Sequence, residues 1–282
     1  AVVEPYGSGL GGGGFFLLRT AGDTPGYDFL DARERAPLEA KPNLYVRDGK
    51  VQRELSLNGA LAAAIPGLPA ALVELAQKHG RLPLKTSLAP AIRLANEGFA
   101  VDRVYRERAT WRLAALRDDA ESAKLFLDQG EIPAEGHLLR QPELAQTLER
   151  LARHGHDGFY RGEFAKKLVQ GVRTAGGIWS LEDLADYHTV EREPLRFTLA
   201  NGRELIGAPP PSAGGIASDF APTDGYVSLG LGATYTQGNM KITGGVRYIQ
   251  PGDTPALSAL GGAAQFSDNS AVAVGVKIGF TF

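Results

Sequence analysis

Asp31-Ala32-Arg33-Glu34-Arg35-Ala36-Pro37 packs four charges into seven residues. It follows directly on Tyr27-Asp28-Phe29-Leu30, which reads as a β-strand. Upstream, Phe15-Phe16-Leu17-Leu18 is a short apolar run after glycines and reads as a buried strand. Ala21-Gly22-Asp23-Thr24-Pro25-Gly26 between them is a turn, so the simplest connection is a hairpin. The charged stretch therefore begins where a strand ends. Two readings fit it. A solvated loop with local ion pairs is the cheaper one, since surface charge clusters rarely do chemistry. Alternatively, an arginine at a strand end grips a carboxylate with its two-pronged guanidinium.

Downstream the spacing turns helical. Pro66-Gly67 precedes a helix expected over Pro69 to His79, where Ala70, Leu72, Leu75 and Ala76 form an apolar stripe and Gly80 ends it. Further helices are expected at Leu88–Asn96, Arg103–Leu116, Glu121–Leu127, Pro142–Ala152 and Gly162–Ala175. Ser180, followed three residues later by Asp183, reads as a helix start with the serine oxygen capping free N–H groups. Leu195 to Leu205 reads as a hairpin around Asn201-Gly202. Pro209-Pro210-Pro211 cannot continue a hydrogen-bonded ladder and marks an exit.

The chain has 282 residues and a formal net charge of −2, with no electrostatic footprint for nucleic acid. It has no cysteine, which excludes disulfides, cysteine nucleophiles and thiolate metal sites. No run of about 18 apolar residues exists to form a membrane helix. The first residue is Ala1, and no basic segment followed by an apolar one comes after it. No signal peptide is read there, and a processed or truncated start is expected.

Those averages cover two different segments. Residues 222–282 hold three basic and three acidic residues, against 27 and 29 in residues 1–221. After Tyr226 the hydrophobic period becomes two. The change falls around Gly214 to Pro222, a Gly/Ser/Pro-rich stretch of the kind linkers use. We therefore read a first segment over 1–216, a join at 217–223 and a second segment over 224–282.

Other motifs carry less. Gly7, Gly9 and Gly12 formally match a dinucleotide fingerprint, which needs a strand before it and a helix after it. Here only six residues precede Gly7, and a strand-like run follows Gly12. Glycines that let the backbone pass close to another element are the simpler account. His154-Gly155-His156-Asp157-Gly158 looks like a loop after a helix. Two histidines and an aspartate could hold a metal, but loop polarity explains them more cheaply. No metal and no cofactor is expected. Neither G-x-S-x-G nor H-E-x-x-H occurs.

Taken in order, the motifs of the first segment resemble those of the γ-glutamyltransferase (glutathione hydrolase) large subunit. Gly9-Leu10-Gly11-Gly12-Gly13-Gly14-Phe15 resembles the family's glycine-rich strand entry, and Asp31 to Pro37 its D-x-R-E-x-A-P stretch. Ile65-Pro66-Gly67, Pro90-Ala91-Ile92, Gly98-Phe99 and Gly158-Phe159-Tyr160-Arg161-Gly162 follow in register. So do Gly176-Gly177, Asp183-Leu184, Glu191-Arg192-Glu193-Pro194 and Pro209-Pro210-Pro211-Ser212-Ala213-Gly214-Gly215-Ile216. The resemblance implies an α+β protein with an incomplete αββα N-terminal-nucleophile hydrolase fold, helix-rich over 1–216. It implies a precursor that cuts itself into large and small subunits. The small subunit's N-terminal threonine then attacks the γ-glutamyl amide of glutathione, its own amine acting as base. Water or an amino acid resolves the resulting ester. By position Arg33 matches the arginine that holds the substrate's α-carboxylate. The resemblance also implies a periplasmic or cell-envelope location.

The chain departs from the family after Ile216. No T-T-x-x-S-type start of a small subunit occurs; Thr223-Asp224 and Thr234-Tyr235-Thr236 are no substitutes. We expect no catalytic residue among these 282 and no glutathione hydrolase activity from the chain alone.

The last segment alternates. Val227, Leu229 and Leu231 do so, as do Met240, Ile242, Gly244, Val246 and Tyr248, and Val272 through Phe282. A sheet with one buried face shows this pattern, and so does a transmembrane β-barrel. The terminal phenylalanine and low charge favour the barrel. Asp224–Phe282 resembles the C-terminal strands of an outer-membrane protein of the long-chain fatty-acid transporter family, which implies an association with the outer membrane. Three or four strands cannot close a barrel. A join of two unrelated partial genes follows as the expectation.

Overall fold

A computed structural model of the chain describes residues 1–7, 9–21, 26–199 and 202–208, and beyond these the backbone of five strands. The chain divides into two units, one of Ala1–Ala40 with Tyr45–Gly207 and one of Lys41–Leu44 with Ala208–Phe282.

The first unit mixes helix and sheet. It opens with β1 (Gly14–Arg19) and β2 (Tyr27–Ala32), antiparallel with Phe16 opposite Leu30. The expected hairpin is therefore present, although its turn residues 22–25 lie outside the described residues. Two short strands follow, β3 (Val46–Arg47) and β4 (Lys50–Val51). Next come α1 (Leu68–Lys78), α2 (Leu84–Glu97), β5 (Phe99–Ala100), α3 (Arg103–Trp111), α4 (Leu113–Asp118) and α5 (Ala120–Phe126). After them run β6 (Leu138–Leu139), α6 (Pro142–His154), α7 (Asp157–Tyr160), α8 (Gly162–Thr174) and α9 (Leu181–Ala185). β7 (Val190–Arg192) returns to the first hairpin and pairs antiparallel with β2, giving the sheet order β1-β2-β7. β8 (Leu195–Thr198) and β9 (Glu204–Gly207) form the second expected hairpin.

Helix α1 lies between two hydrophobic groups, so its buried face is wider than a single stripe. Ala70 and Val73 enter the main core with Leu148, Leu151, Tyr160 and Leu184. Ala71 packs instead under the sheet with Leu30 and Ala32, joined by Leu75. Helix α6 supplies Ala145, Leu148 and Leu151 at helical spacing, which lays one face on the core. The capping box at α9 is complete: Ser180 accepts from the Asp183 N–H, and Asp183 accepts from the Ser180 N–H.

Four expectations change. β1, expected as a buried strand, leaves Phe15 and Leu17 exposed on one face. The helix over Arg103–Leu116 breaks at Arg112, whose φ/ψ of −113°/8° is not helical. Thr110 Oγ1 donates back to the Arg106 carbonyl at 2.8 Å, a bond that loosens a helix end, and Arg112 reaches away to Asn58. α2 starts at Leu84, earlier than expected, with Pro90 inside it. The supposed loop at 154–158 shrinks to Gly155 and His156: Gly155 adopts φ 58° at the end of α6, and α7 starts at Asp157.

In the second unit, β10 (Tyr226–Gln237), β11 (Met240–Pro251) and β14 (Ala271–Phe280) form an antiparallel sheet in that order. Its register sets Leu231 opposite Val246, and Val246 opposite Val274. β12 (Thr254–Leu257) and β13 (Ala263–Phe266) pair separately. The strands predicted from alternation are strands. Among the described residues they form an open sheet and a separate pair, with no closed barrel. Pro209 to Pro211 and the join at 217–223 lie outside the described residues.

Candidate functional site

Arg33 stands one residue past the end of β2. The preceding Ala32 is fully buried, and its carbonyl is crowded by backbone on two sides. A Cβ at Gly13 would collide with the Ala32 carbonyl oxygen and lie 2.9 Å from the Glu34 nitrogen. A Cβ at Gly67 would collide with that same oxygen and with the Tyr187 hydroxyl, and lie 2.8 Å from the Ala32 carbonyl carbon. Two glycines from separate motifs therefore make room for one strand end. The glycine-rich entry has a second task. Gly12 offers its carbonyl to the N–H groups of Gly67 and Leu68, each at 2.9 Å, which satisfies free donors at the start of α1. A strand and not a helix follows these glycines, so the dinucleotide reading lacks its context; the close approach lies at Gly13, whereas a Cβ at Gly7, Gly9 or Gly12 would meet only ordinary contacts.

The Arg33 backbone is held at both ends. Its N–H donates to Asp31 Oδ1 at 2.9 Å, and its carbonyl accepts from the Tyr187 hydroxyl at 2.8 Å. Asp31 is fixed in turn by an ion pair with Arg192 from β7. Burial holds the Arg192 guanidinium below its ordinary pKa, and that guanidinium lies over the Phe29 ring. Beyond Arg33, residue 35 forms a two-way backbone bridge with Ile65, and the Leu38 N–H donates to Asp183 Oδ1 at 2.6 Å. The side chain of Arg33 is 68% exposed, with Nε 3.5 Å from Glu34 Oε2. A guanidinium on a fixed backbone, facing solvent, can take a carboxylate through two parallel hydrogen bonds.

Behind this segment lies a stack of rings. Tyr187 is parallel to Tyr160 at 5.5 Å, and Tyr160 stacks on His156 at 4.3 Å. His156 also stacks on His188 at 5.3 Å. Tyr160 donates to the Pro66 carbonyl at 2.8 Å and accepts from the Ala70 N–H at 3.2 Å. It thereby locks Ile65-Pro66-Gly67 against α1. Burial pushes the Tyr187 hydroxyl up to about 12 and raises that of Tyr160 as well, so both stay protonated donors at neutral pH. His156 Nε2 lies 2.9 Å from the Tyr187 carbonyl. Among the described residues, no three His, Cys, Asp or Glu side chains gather as a metal site would require. A groove lined by Glu143 and Arg150 of α6 and by Phe164 and Lys167 of α8 is separate from this cluster.

The structure thus brings together motifs that are far apart in sequence: the glycine entry, Asp31 to Pro37, Ile65-Pro66-Gly67, Tyr160, Asp183 and Arg192. Sequence reasoning singled out Arg33 and passed over Arg35 and Tyr187. Tyr187 had no local signal, being one tyrosine after a short helix. None of Asp31, Arg33, Glu34, Arg35, Tyr187 and Arg192 is a serine, threonine or cysteine, so the cluster can hold a ligand but offers no hydroxyl or thiol nucleophile of the usual kinds.

Known proteins resemble this chain over most of its length. The glutathione hydrolase proenzyme of Pseudomonas sp. (strain A14) is 36% identical over 246 residues, covering 84% of this chain and 42% of the relative. A crystal structure of Helicobacter pylori gamma-glutamyltranspeptidase superposes with a TM-score of 0.71 at 34% identity, covering 75% of this chain and 60% of that one. The gamma-glutamyltranspeptidase of Pseudomonas nitroreducens, solved in complex with L-DON, gives 0.67 at 40% identity and covers 77% and 62%. The chain thus spans about two fifths of the length of the first of these relatives, 42%. The model of the family described as gamma-glutamyltranspeptidase matches residues 1–221, the span that carries the glycine entry, Arg33 and the ring stack, and this chain belongs to that family.

Proposed function

We propose that residues 1–216 are the large-subunit-like part of a γ-glutamyl-transferring N-terminal-nucleophile hydrolase. In this reading Arg33 holds the α-carboxylate of glutathione or another γ-glutamyl compound. The observation that carries it is the contrast at residue 33, a backbone bonded on both sides beneath a solvent-facing guanidinium. A bidentate pair there orients the γ-amide and selects glutamate-like donors. The attacking threonine belongs to a small subunit with no counterpart in these residues, so the chain alone releases no glutamate from glutathione. The sheet supports the αββα part of the reading. Phe15 and Leu17 are each 43% exposed on one face of β1, where such a sandwich sets its second sheet. By family resemblance the protein acts in the periplasm or cell envelope.

The test is L-glutamate binding by titration calorimetry, with Arg33→Ala and Arg33→Lys. The alanine variant loses binding and the lysine variant keeps only part of it, because an ammonium cannot form the two-pronged contact. Equal affinity in all three proteins would overturn the assignment.

The second segment, Asp224–Phe282 after the 217–223 join, we read as the terminal strands of an outer-membrane barrel. Support comes from the unbroken antiparallel register of three alternating strands, ten to twelve residues each. Folding of this segment that depends on detergent micelles is the expected result; equal folding in plain buffer counts against it.

A further inference from the structure

We infer that Arg35 and Tyr187 are positioning residues for Arg33, Arg35 acting through Tyr187. The inference rests on the reading of Arg33 as the carboxylate clamp. Two arginines lie two residues apart in the same charged stretch, and chemistry alone gives either one the clamp. Their surroundings separate them. The Arg35 guanidinium donates to the carbonyl of Asp186 at 3.3 Å and to that of His188 at 2.9 Å. These carbonyls flank Tyr187, and the Arg35 guanidinium carbon lies 5.1 Å from the centre of its ring. Arg35 therefore brackets Tyr187 from both neighbours and covers its face. Tyr187 then reaches back and donates to the carbonyl of Arg33 at 2.8 Å. Residue 35 holds residue 187, and residue 187 holds residue 33.

This loop of contacts has two effects. It commits the Arg35 guanidinium to backbone carbonyls, so that guanidinium does not compete for the substrate carboxylate. It also fixes the residue that carries the free guanidinium before any ligand arrives. A residue left loose must be ordered at the moment of binding, which weakens affinity by about tenfold for each backbone position. The tyrosine suits the task because its ring is already fixed against Tyr160, leaving only the hydroxyl to place.

The test uses the full chain, with L-glutamate as probe and two measurements. One is L-glutamate affinity by titration calorimetry. The other is amide hydrogen exchange over residues 31–38. Tyr187→Phe keeps the ring and removes only the donor; Arg35→Ala removes the bracket; Arg35→Lys keeps a cation able to reach carbonyls. Both Tyr187→Phe and Arg35→Ala are expected to weaken L-glutamate about tenfold and to speed exchange at residues 33–35, with the lysine variant recovering most of the affinity. Arg33→Ala removes binding and leaves exchange unchanged. Unaltered affinity and exchange in Tyr187→Phe and Arg35→Ala overturn the inference while leaving the clamp intact. If Arg33→Ala binds like the unaltered chain, or that chain takes up no L-glutamate, the clamp itself fails. Exchange then decides alone whether Arg35 and Tyr187 hold residue 33.

Discussion

Replacing Gly67 by alanine tests the packing around Arg33 without touching a charged group. The backbone of Gly67 is ordinary, at φ −110° and ψ −27°, so alanine adds no conformational strain and the effect is purely steric. The new methyl would overlap the Ala32 carbonyl oxygen and the Tyr187 hydroxyl, and stand 2.8 Å from the Ala32 carbonyl carbon. Carbon–carbon contacts rest at about 3.5–4.0 Å, so the strand end or the helix start must move by roughly 1 Å. Neither is free to do so. Ala32 is fully buried, and the Gly67 N–H is bonded to the Gly12 carbonyl. Inserted methyl groups in tight cores cost about 1–3 kcal/mol, and a clash with backbone belongs at the upper end. At about 2–4 °C per kcal/mol for a unit of this size, the melting temperature falls by roughly 6–12 °C. Gly171→Ala is the matched control. Gly171 lies inside α8, and nothing comes within 4 Å of an added Cβ. Alanine there favours the helix by about 1 kcal/mol, so melting rises by a few degrees. Differential scanning calorimetry reads both. A Gly67→Ala protein that melts within 2 °C or so of the parent, a shift worth less than about 1 kcal/mol, would refute the close approach of Gly67 to Ala32.

Other outcomes follow from the same contacts. Tyr160→Phe leaves the Pro66 carbonyl and the Ala70 N–H without their hydroxyl partner, and urea unfolding should show a loss of about 2 kcal/mol. Ser180→Ala removes the cap of α9 and loosens Asp183, which also holds Leu38; about 1 kcal/mol is expected in the same assay. Asp31→Asn replaces the carboxylate of a nearly buried ion pair with a neutral amide and should cost about 3 kcal/mol, read again by urea. Ser122, through its hydroxyl and its N–H, holds the Asp119 carboxyl below the usual range. That contribution is complete above the unfolded pKa of about 3.9 and is lost as pH falls through the lower folded value. The parent should therefore lose stability more steeply than Asp119→Asn as the pH is lowered from 5 to 3, in roughly that carboxylate window.

Much of the first unit can be read locally, and its failures have a common cause. The β1–β2 hairpin shows in a short apolar run, a turn and a second strand-like run, and α9 shows in a serine three residues before an aspartate. β7 has no such signal. It is three residues long, two of them charged, and it pairs with a strand far away in sequence, Arg192 opposite Phe29 and Val190 opposite Asp31, with the Arg192 side chain reaching Asp31. The break at Arg112 is equally non-local, since that side chain leaves the helix line for Asn58. Arg33 was legible as a candidate; what holds its backbone was not. Its carbonyl is held by Tyr187, 154 residues further along the chain.

The two arginines of one short motif show how position assigns chemistry. Both carry the same guanidinium, and a single residue, Glu34, separates them. Arg35 is drawn to the carbonyl of Asp186, the C-cap of α9, and to that of His188 in the segment beyond it. Among the described residues, Arg33 pairs with the neighbouring carboxylate of Glu34 at 3.5 Å, longer than a good charge-assisted bond. An incoming carboxylate with two oxygens in plane offers Arg33 more than Glu34 does, and offers Arg35 less than it already has. In the proposed clamp, the segment after α9, and not the motif, therefore decides which arginine is left for a ligand. If Asp186 and His188 were moved by shortening α9, Arg35 would lose its acceptors and Arg33 its fixed carbonyl together.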